Sequence, residues 1–599
     1  DAFVSRGEST NTQSIQNYVL LSRVRQALLA TNTTTCLTAT NGCVPLNIFG
    51  ADGTITPEQA DFISDDSTST TRTRLSQARG VINGDVGFSS PFADDPISFA
   101  VGAEYRKYKA SQISDILAKT AGELGGAGGA QPDIRGGFAV YEGFAEVIAP
   151  LVTDRPFFNS LTVEGGIRRS NYTVDTAGNP KFKTTTWKVA GSWEPIADLK
   201  IRGNYQRAVR APNIGELFSP VTTGLTNLGT DPCAGTAPLA NAELRAICLA
   251  QGAPVGSLGG ISNPTAGQAN STGGGNLLLQ PEKATTWTVG AVITPSFFRG
   301  FNATIDYYNI RVKDAVSSPT PADAILACFG PSPTNPPAGA STTAACTDIG
   351  RNPISGGLDG PPDTTTGLFL TSSNLGVIFT DGVDLTMNYR TGLGNLMGAP
   401  AKINLSFGGN YTRSSKFQAT PTALNRECVG YYSVNCGSIQ PKFSFNQRST
   451  LSLGRVDLSL LWRYIHKTKL EPQQLQDDRE GALASNDAQV ADNLRRSLLP
   501  IPLPPLALPC ADFDGVDGGG CIIDPRFQRI SARHYFDFST RFNVNENFDM
   551  TVTVQNLLDK DPPTVGGTVG STTFNGGNTF PSTYDALGRR FAVGARIKF

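Results

Sequence analysis

Histidine and methionine are almost missing from this chain, at 2 and 3 in 599 residues. His466 and His534 stand apart from any nucleophile pattern, which leaves little material for a catalytic triad or a zinc hydrolase. No CxxC occurs, so the usual zinc-thiolate spacings are missing too. No run of about 18 apolar residues marks a membrane helix. The most apolar stretch, 498–508, is broken by Pro500, Pro502, Pro504 and Pro505 and reads as loop. The net charge is −1, without the basic excess that nucleic-acid binding demands. These gaps argue against an enzyme, against a DNA or RNA binder, and against a helical membrane protein.

What is present is period-2 alternation, the mark of strands with two different faces. Leu199, Ile201, Gly203 and Tyr205 alternate with Lys200, Arg202, Asn204 and Gln206. Val456, Leu458, Leu460, Trp462 and Tyr464 alternate with Asp457, Ser459, Leu461 and Arg463. Val383, Leu385, Met387 and Tyr389 do the same against Asp384, Thr386, Asn388 and Arg390. The final segment sets Phe591, Val593, Ala595, Ile597 and Phe599 against Ala592, Gly594, Arg596 and Lys598. A soluble sandwich also alternates, but here the polar set carries many charges, as a watery lumen would. Trp187 and Trp193 share a phase with Val189 between them, which suits two interfacial girdles. Further strands are read at 97–108, 138–149, 160–171, 284–294, 301–312, 402–412, 444–454, 535–544 and 548–556, with 75–88 the weakest. The total is about fifteen.

Connections alternate short and long. Pro195 to Asp198, Gly454-Arg455 and Asn545 to Asn547 are tight joins, whereas 109–137, 210–283, 313–378, 413–443, 465–534 and 557–589 are long. Thr320-Pro321 predicts a helix start leading into Cys328, and Asn241 a cap for 242–251. Residues 14–29 are weakly amphipathic and read as a loop helix, and 253–276 as low-complexity loop.

The ten cysteines fall into five neighbouring pairs: Cys36/Cys43, Cys233/Cys248, Cys328/Cys346, Cys428/Cys436 and Cys510/Cys521. An even count at short spacings predicts disulfides formed outside the cytoplasm. Six, two, two and two strands separate successive pairs, so every crossing is followed by a return and all five pairs fall on one rim. Three strands follow the last pair, which puts the C-terminus on the other rim. The fold class predicted is all-β: a transmembrane antiparallel up-and-down barrel with short periplasmic turns and long disulfide-bearing outer loops, running through 1–599 as one domain.

Three stretches resemble the TonB-dependent outer-membrane receptors of Gram-negative bacteria. The first is Arg207-Ala208-Val209-Arg210-Ala211-Pro212-Asn213-Ile214-Gly215-Glu216-Leu217-Phe218. The second is Leu279-Gln280-Pro281-Glu282-Lys283-Ala284-Thr285-Thr286-Trp287. The third is Gln555-Asn556-Leu557-Leu558-Asp559-Lys560 with Tyr584-Asp585 and Gly588-Arg589-Arg590-Phe591. Their order and spacing cover most of 97–599. The resemblance implies a 22-stranded barrel holding an N-terminal plug, and uptake of a scarce solute energised by TonB-ExbB-ExbD. It implies further partners: the barrel-assembly machinery, with Phe599 as its terminal aromatic signal, outer-membrane lipid and lipopolysaccharide, and a small-molecule or oligomeric ligand. Seen this way, the chain from Asp1 reads as processed or partial. Plug, TonB box and about seven strands are expected elsewhere, and the odd strand count suits a start inside an outer loop.

The nearest approach to a metal site is Asp512, Asp514 and Asp517 on a glycine-rich turn between Cys510 and Cys521. Such carboxylates suit Ca²⁺, but the spacing departs from an EF-hand and no Glu closes it, so a solvated acidic turn is the plainer reading. No other cofactor is expected. Arg168, Lys200, Arg202, Asp306, Asp384, Arg463, Asp537, Arg541 and Arg596 fall in the lumenal phase, where they pair with one another or meet substrate or plug. Arg210 and Glu216 read as loop anchors. A passive porin and an adhesive or structural barrel stand as alternatives to the energised transporter. Loops rich in Thr, Ser, Gly and Asn lean toward sugars, peptides or other organic solutes.

Overall fold

The computed structural model describes the chain except for residues 31, 52, 127–128, 422, 434–435, 437–438, 473–527, 566–578 and 599. Cys510, Cys521, Asp512, Asp514, Asp517 and Phe599 therefore lie outside the described residues.

Sixteen strands follow one another as an antiparallel meander. They are β1 (Ala2–Val19), β2 (Ser64–Ser89), β3 (Pro96–Ser114), β4 (Ile134–Arg155), β5 (Phe158–Val174), β6 (Lys181–Ile196), β7 (Leu199–Arg210) and β8 (Glu282–Ile293). The series continues through β9 (Phe301–Ser317), β10 (Ser373–Leu396), β11 (Ala399–Gln418), β12 (Phe443–Leu453), β13 (Val456–Ile465), β14 (Arg533–Asn545), β15 (Phe548–Gln555) and β16 (Arg590–Ile597). A two-residue strand, Arg426–Glu427, pairs with β11 as a seventeenth member of the sheet. Among the described residues β1 pairs only with β2, and β16 only with β15. No described helix is long and apolar enough to cross a membrane.

The register explains why the alternation was so clear. One cross-strand row runs Trp193, Ile201, Ala291, Ile305, Leu385, Gly409, Phe445 and Tyr464 from β6 to β13. The neighbouring row, one residue along each strand, runs Ser192, Arg202, Gly290, Asp306, Asp384 and Asn410. The apolar face does not pack on a core: Val189 is 55% exposed and Val593 70%. So broad an uncovered apolar face is what a lipid-facing wall requires. Trp187 sits edge-on to Tyr205 at 5.3 Å. Trp193 packs 5.8 Å from Phe158 and donates its indole N–H to the Phe157 carbonyl at 2.9 Å, in the β4–β5 turn. The Trp193 ring thus has one end on an apolar face and the other on the polar backbone of a turn.

Turns at the short end need no folded loop. Met397-Gly398 joins β10 to β11 with φ of 52° and 79°, the paired positive values of a turn that matches strand twist. The opposite end carries the long connections. Disulfides Cys36–Cys43, Cys233–Cys248, Cys328–Cys346 and Cys428–Cys436 lie in the loops after β1, β7, β9 and β11, all at that end. The last described strand finishes at the short-turn end.

Three readings need correction. The chain opens with a strand, β1, so the first residues are not an outer loop, while the sixteen strands described fall within two of the fifteen read. The amphipathic stretch 14–29 divides into the end of that strand and a helix at Leu21–Leu28. The segment read as low-complexity, 253–276, contains a true strand, Gln268–Gly273, which pairs with Thr222–Asn227 and Leu368–Phe369. The predicted caps do form: Asn241 accepts from the Leu244 amide, and Thr320 from that of Asp323.

Candidate functional site

The loops after β7 and β9 fold together into one cap. Its core gathers Leu244, Ile247, Phe329, Leu358 and Leu368 with both disulfides Cys233–Cys248 and Cys328–Cys346, all nearly inaccessible. At its centre the Arg351 guanidinium donates to both Asp231 carboxylate oxygens, at 2.5 and 2.7 Å, with both side chains fully buried. Arg351 also donates to the Gln251 Oε1 at 2.7 Å and the Gly356 carbonyl at 3.0 Å. A buried ion pair is tolerable only when its remaining donors are satisfied in this way. Asp359 accepts from the Thr265 hydroxyl (2.7 Å), and Asn270 donates to the Thr365 carbonyl (2.7 Å), so the two loops are joined at several points.

Two of the family-like segments lie at the base of these loops, where they join the wall. Arg210 ends β7 and Glu282 opens β8, directly opposite in register. The Arg210 guanidinium forks to Glu282 at 2.6 and 2.8 Å and to Glu216 at 3.0 Å. Glu282 accepts in addition from the Val316 amide at 2.7 Å, which draws in β9. Asn213 and Glu216 form a reciprocal capping box on the short helix Ile214–Phe218. Leu217 and Leu279 pack with Val174, with Phe218 beside them, while Pro212 and Pro281 are buried.

The third segment does the same for β13–β16. The Asn556 side chain accepts from the Lys560 amide at 2.8 Å and donates to its carbonyl at 3.0 Å, while its backbone N–H reaches Asp537 at 2.8 Å. Leu557 donates its amide to the Phe536 carbonyl at 2.6 Å. Asp585 pairs with Arg590 at 3.3 Å and faces Arg463 at 3.8 Å, and Arg463 binds Asp537 at 2.9 Å. Tyr584 joins Tyr432, Tyr535, Phe580 and Leu470 in a second loop core. Burial pushes the Tyr584 phenol up to about 12 and raises that of Tyr432 as well.

On the polar face most charges are self-paired. Arg202 meets Asp306 at 2.6 Å, Lys200 meets Glu194 at 2.9 Å, and Arg541 meets Asp457. Asp384 accepts from the Asn410 amide at 2.7 Å. One cluster went unread in the sequence. Glu142, almost wholly buried, accepts from Arg106 at 2.5 Å, Arg168 at 3.3 Å and the Ser170 hydroxyl at 2.7 Å, while Glu104 binds Gln77 at 2.6 Å. The signal was available, since Glu104, Arg106 and Glu142 share the polar phase of their strands. Among the described residues no cluster of three or more His, Cys, Asp or Glu could hold a metal ion.

A family profile described as "TonB dependent receptor-like, beta-barrel" matches residues 13–557. No curated protein matches the chain by sequence. Among solved structures, the ferric enterobactin receptor PfeA of Pseudomonas aeruginosa (the Q482A mutant with enterobactin) aligns at 12% identity with a TM-score of 0.53. The alignment covers 100% of this chain and 60% of that one. The siderophore receptor PirA of Acinetobacter baumannii aligns at 12% identity and a TM-score of 0.50, again covering 100% and 60%. The chain thus spans about 60% of the length of the solved receptors it matches. With the profile running through nearly the whole meander, this chain belongs to the TonB-dependent receptor family, as part of its β-barrel.

Proposed function

We propose that the chain forms the wall and outer cap of an outer-membrane transporter that takes up a scarce solute with energy delivered by TonB-ExbB-ExbD. The long-loop end faces outward and the C-terminus the periplasm. The observation that carries this reading is the joint cap of the loops after β7 and β9, a folded unit with its own core and a buried ion pair. A passive pore gains nothing from two such loops locked together. A high-affinity receptor gains preorganisation: ordering completed during folding is not charged against binding.

In this mechanism the cap and neighbouring loops capture solute, and the paired charges of the wall keep the lumen hydrated without holding cargo tightly. The energised step opens the path through a plug. Barrel and plug are parts of one receptor in this scheme.

The test is uptake by a deletion strain against its parent, using labelled siderophores, oligosaccharides and peptides, with and without a protonophore. Uptake of one class that needs both the gene and the energised membrane is the expected result. Steady ion conductance in planar bilayers without energy input, together with uptake that ignores the protonophore, overturns the proposal in favour of a porin.

A further inference from the structure

A pocket of about 300 Å³ opens in the polar face of β5–β8. Its floor is Ala190 of β6, which stands in register between Glu164 of β5 and Asn204 of β7, with Thr288 of β8 next along the row. The adjacent row of the same face sets Thr162 opposite Ser192, and Ser192 opposite Arg202. A methyl group among longer side chains leaves the dip, and all of these residues line it. Ser192 lies near the end of β6 at Ile196 and Lys200 near the start of β7 at Leu199, which puts the pocket toward the short-turn end, away from the cap.

The charges at its rim already have partners. Lys200 meets Glu194 at 2.9 Å, Arg202 meets Asp306 at 2.6 Å, and Lys188 faces Glu164 at 3.6 Å. Three cations stand against three carboxylates, so an ionic solute of either sign gains little here beyond what the wall supplies to itself. A carboxylate or an anionic chelate is held well by cations whose forks are free, and these are engaged.

What remains is hydrogen-bonding capacity. Thr162, Ser192 and Thr288 bring hydroxyls, each able both to donate and to accept. The Asn204 Oδ1 is buried with no hydrogen-bond partner, a cost that a donor would relieve. Asn204 as a whole is only half-buried, so its amide stays within reach of the pocket. The volume lies at the small end of the range for organic ligands.

We infer that this pocket is a way station for a neutral, hydroxyl-rich solute of the saccharide class on its passage along the wall. Solute hydroxyls donate to Asn204 and exchange hydrogen bonds with Thr162, Ser192 and Thr288. The inference rests on the transport reading and names the solute class for it.

The experiment follows labelled maltotriose, xylotriose, ferric enterobactin and tetra-alanine into a deletion strain carrying parent or variant receptor, with and without a protonophore. Asn204→Leu/Thr288→Val removes the polar atoms at nearly constant volume, Asn204→Gln/Thr288→Ser keeps them, and Ala190→Phe fills the floor. Thr386→Val, on the same face of β10 outside the pocket, is the control. Heat-modifiable mobility confirms that each variant is folded. At least one sugar is expected to enter, and Asn204→Leu/Thr288→Val and Ala190→Phe should each slow it about fivefold or more. Asn204→Gln/Thr288→Ser should restore entry, the control should match the parent, and sugar bound at the surface of de-energised cells should stay the same throughout. Equal sugar entry by parent and Asn204→Leu/Thr288→Val, or an equal loss in the control, overturns the pocket. Entry of ferric enterobactin or tetra-alanine alone, or of none of the four, overturns the solute class. Sugar entry by the parent that ignores the protonophore contradicts the transport reading instead, and the variant comparison still scores the pocket.

Discussion

Arg202 on β7 and Asp306 on β9 are joined at 2.6 Å across an intervening strand, and the residue between them is Gly290. A Cβ at Gly290 would stand 1.9 Å from the Asp306 carboxylate oxygen and 2.8 Å from the Ile305 carbonyl. The glycine is therefore a gap through which one lumenal charge reaches another two strands away. Gly290→Ala is expected to cost about 1–3 kcal/mol by overpacking. Arg202→Gln, which removes only a half-exposed pair, should cost less than about 1 kcal/mol. Heat-modifiability curves of the two variants check the order.

The cap depends on Arg351 and Asp231 in a different way. Removing one partner leaves a buried charge unsatisfied, so Arg351→Ala should destabilise the cap by about 3–5 kcal/mol. Limited proteolysis within 211–281 and 318–372 is expected to rise sharply while the sixteen strands stay protected. The double replacement Asp231→Leu/Arg351→Met should recover much of the loss.

Disulfide access follows burial. Cys233, Cys248, Cys328 and Cys346 are at most 1% exposed, whereas Cys43 is only partly buried. Brief reduction followed by alkylation and mass spectrometry is expected to label Cys36 and Cys43 well before the cap cysteines. Eliminating the 15- or 18-residue ring by paired serine substitution should cost about 3 kcal/mol each, larger than for the 7-residue ring.

The second loop core has an alkaline limit. In the unfolded chain a tyrosine phenol ionises near pH 10; in the fold Tyr584 holds its proton to about 12. Its contribution is complete below pH 10 and is lost as pH rises from 10 through 12, because the unfolded chain gains from ionisation first. Absorbance at 295 nm should show this phenol titrating late, and Tyr584→Phe should move opening of the loop core to higher pH.

Legibility in the sequence tracked the membrane. Where one face meets lipid and the other water, as at Leu199 to Tyr205 or Val456 to Tyr464, alternation located the strand. Where both faces carry polar residues it vanished. Strand β1 carries Ser, Thr, Asn and Gln on both sides, and nearly all of it is exposed, so nothing in its pattern distinguished it from loop. The same reason explains why β2 and β3 extend past the reads at 75–88 and 97–108. Loop helices with a capping residue, Asn241 and Thr320, were readable because a cap is local chemistry. The Asp231–Arg351 pair was not, since its members are 120 residues apart in loops without periodicity. The motif residues Arg210, Glu216 and Glu282 were found by resemblance, and their forked contact explains their spacing as anchorage.

The most direct test of the account is epitope accessibility on intact cells. Short tags inserted at Gly256 and at Asn335, in the loops after β7 and β9, should bind antibody without permeabilisation. Tags inserted between Met397 and Gly398, or between Gly454 and Arg455, should bind only once the outer membrane is opened. Staining of either turn on intact cells, with the loop tags hidden, would contradict the assignment of the long-loop end to the outside.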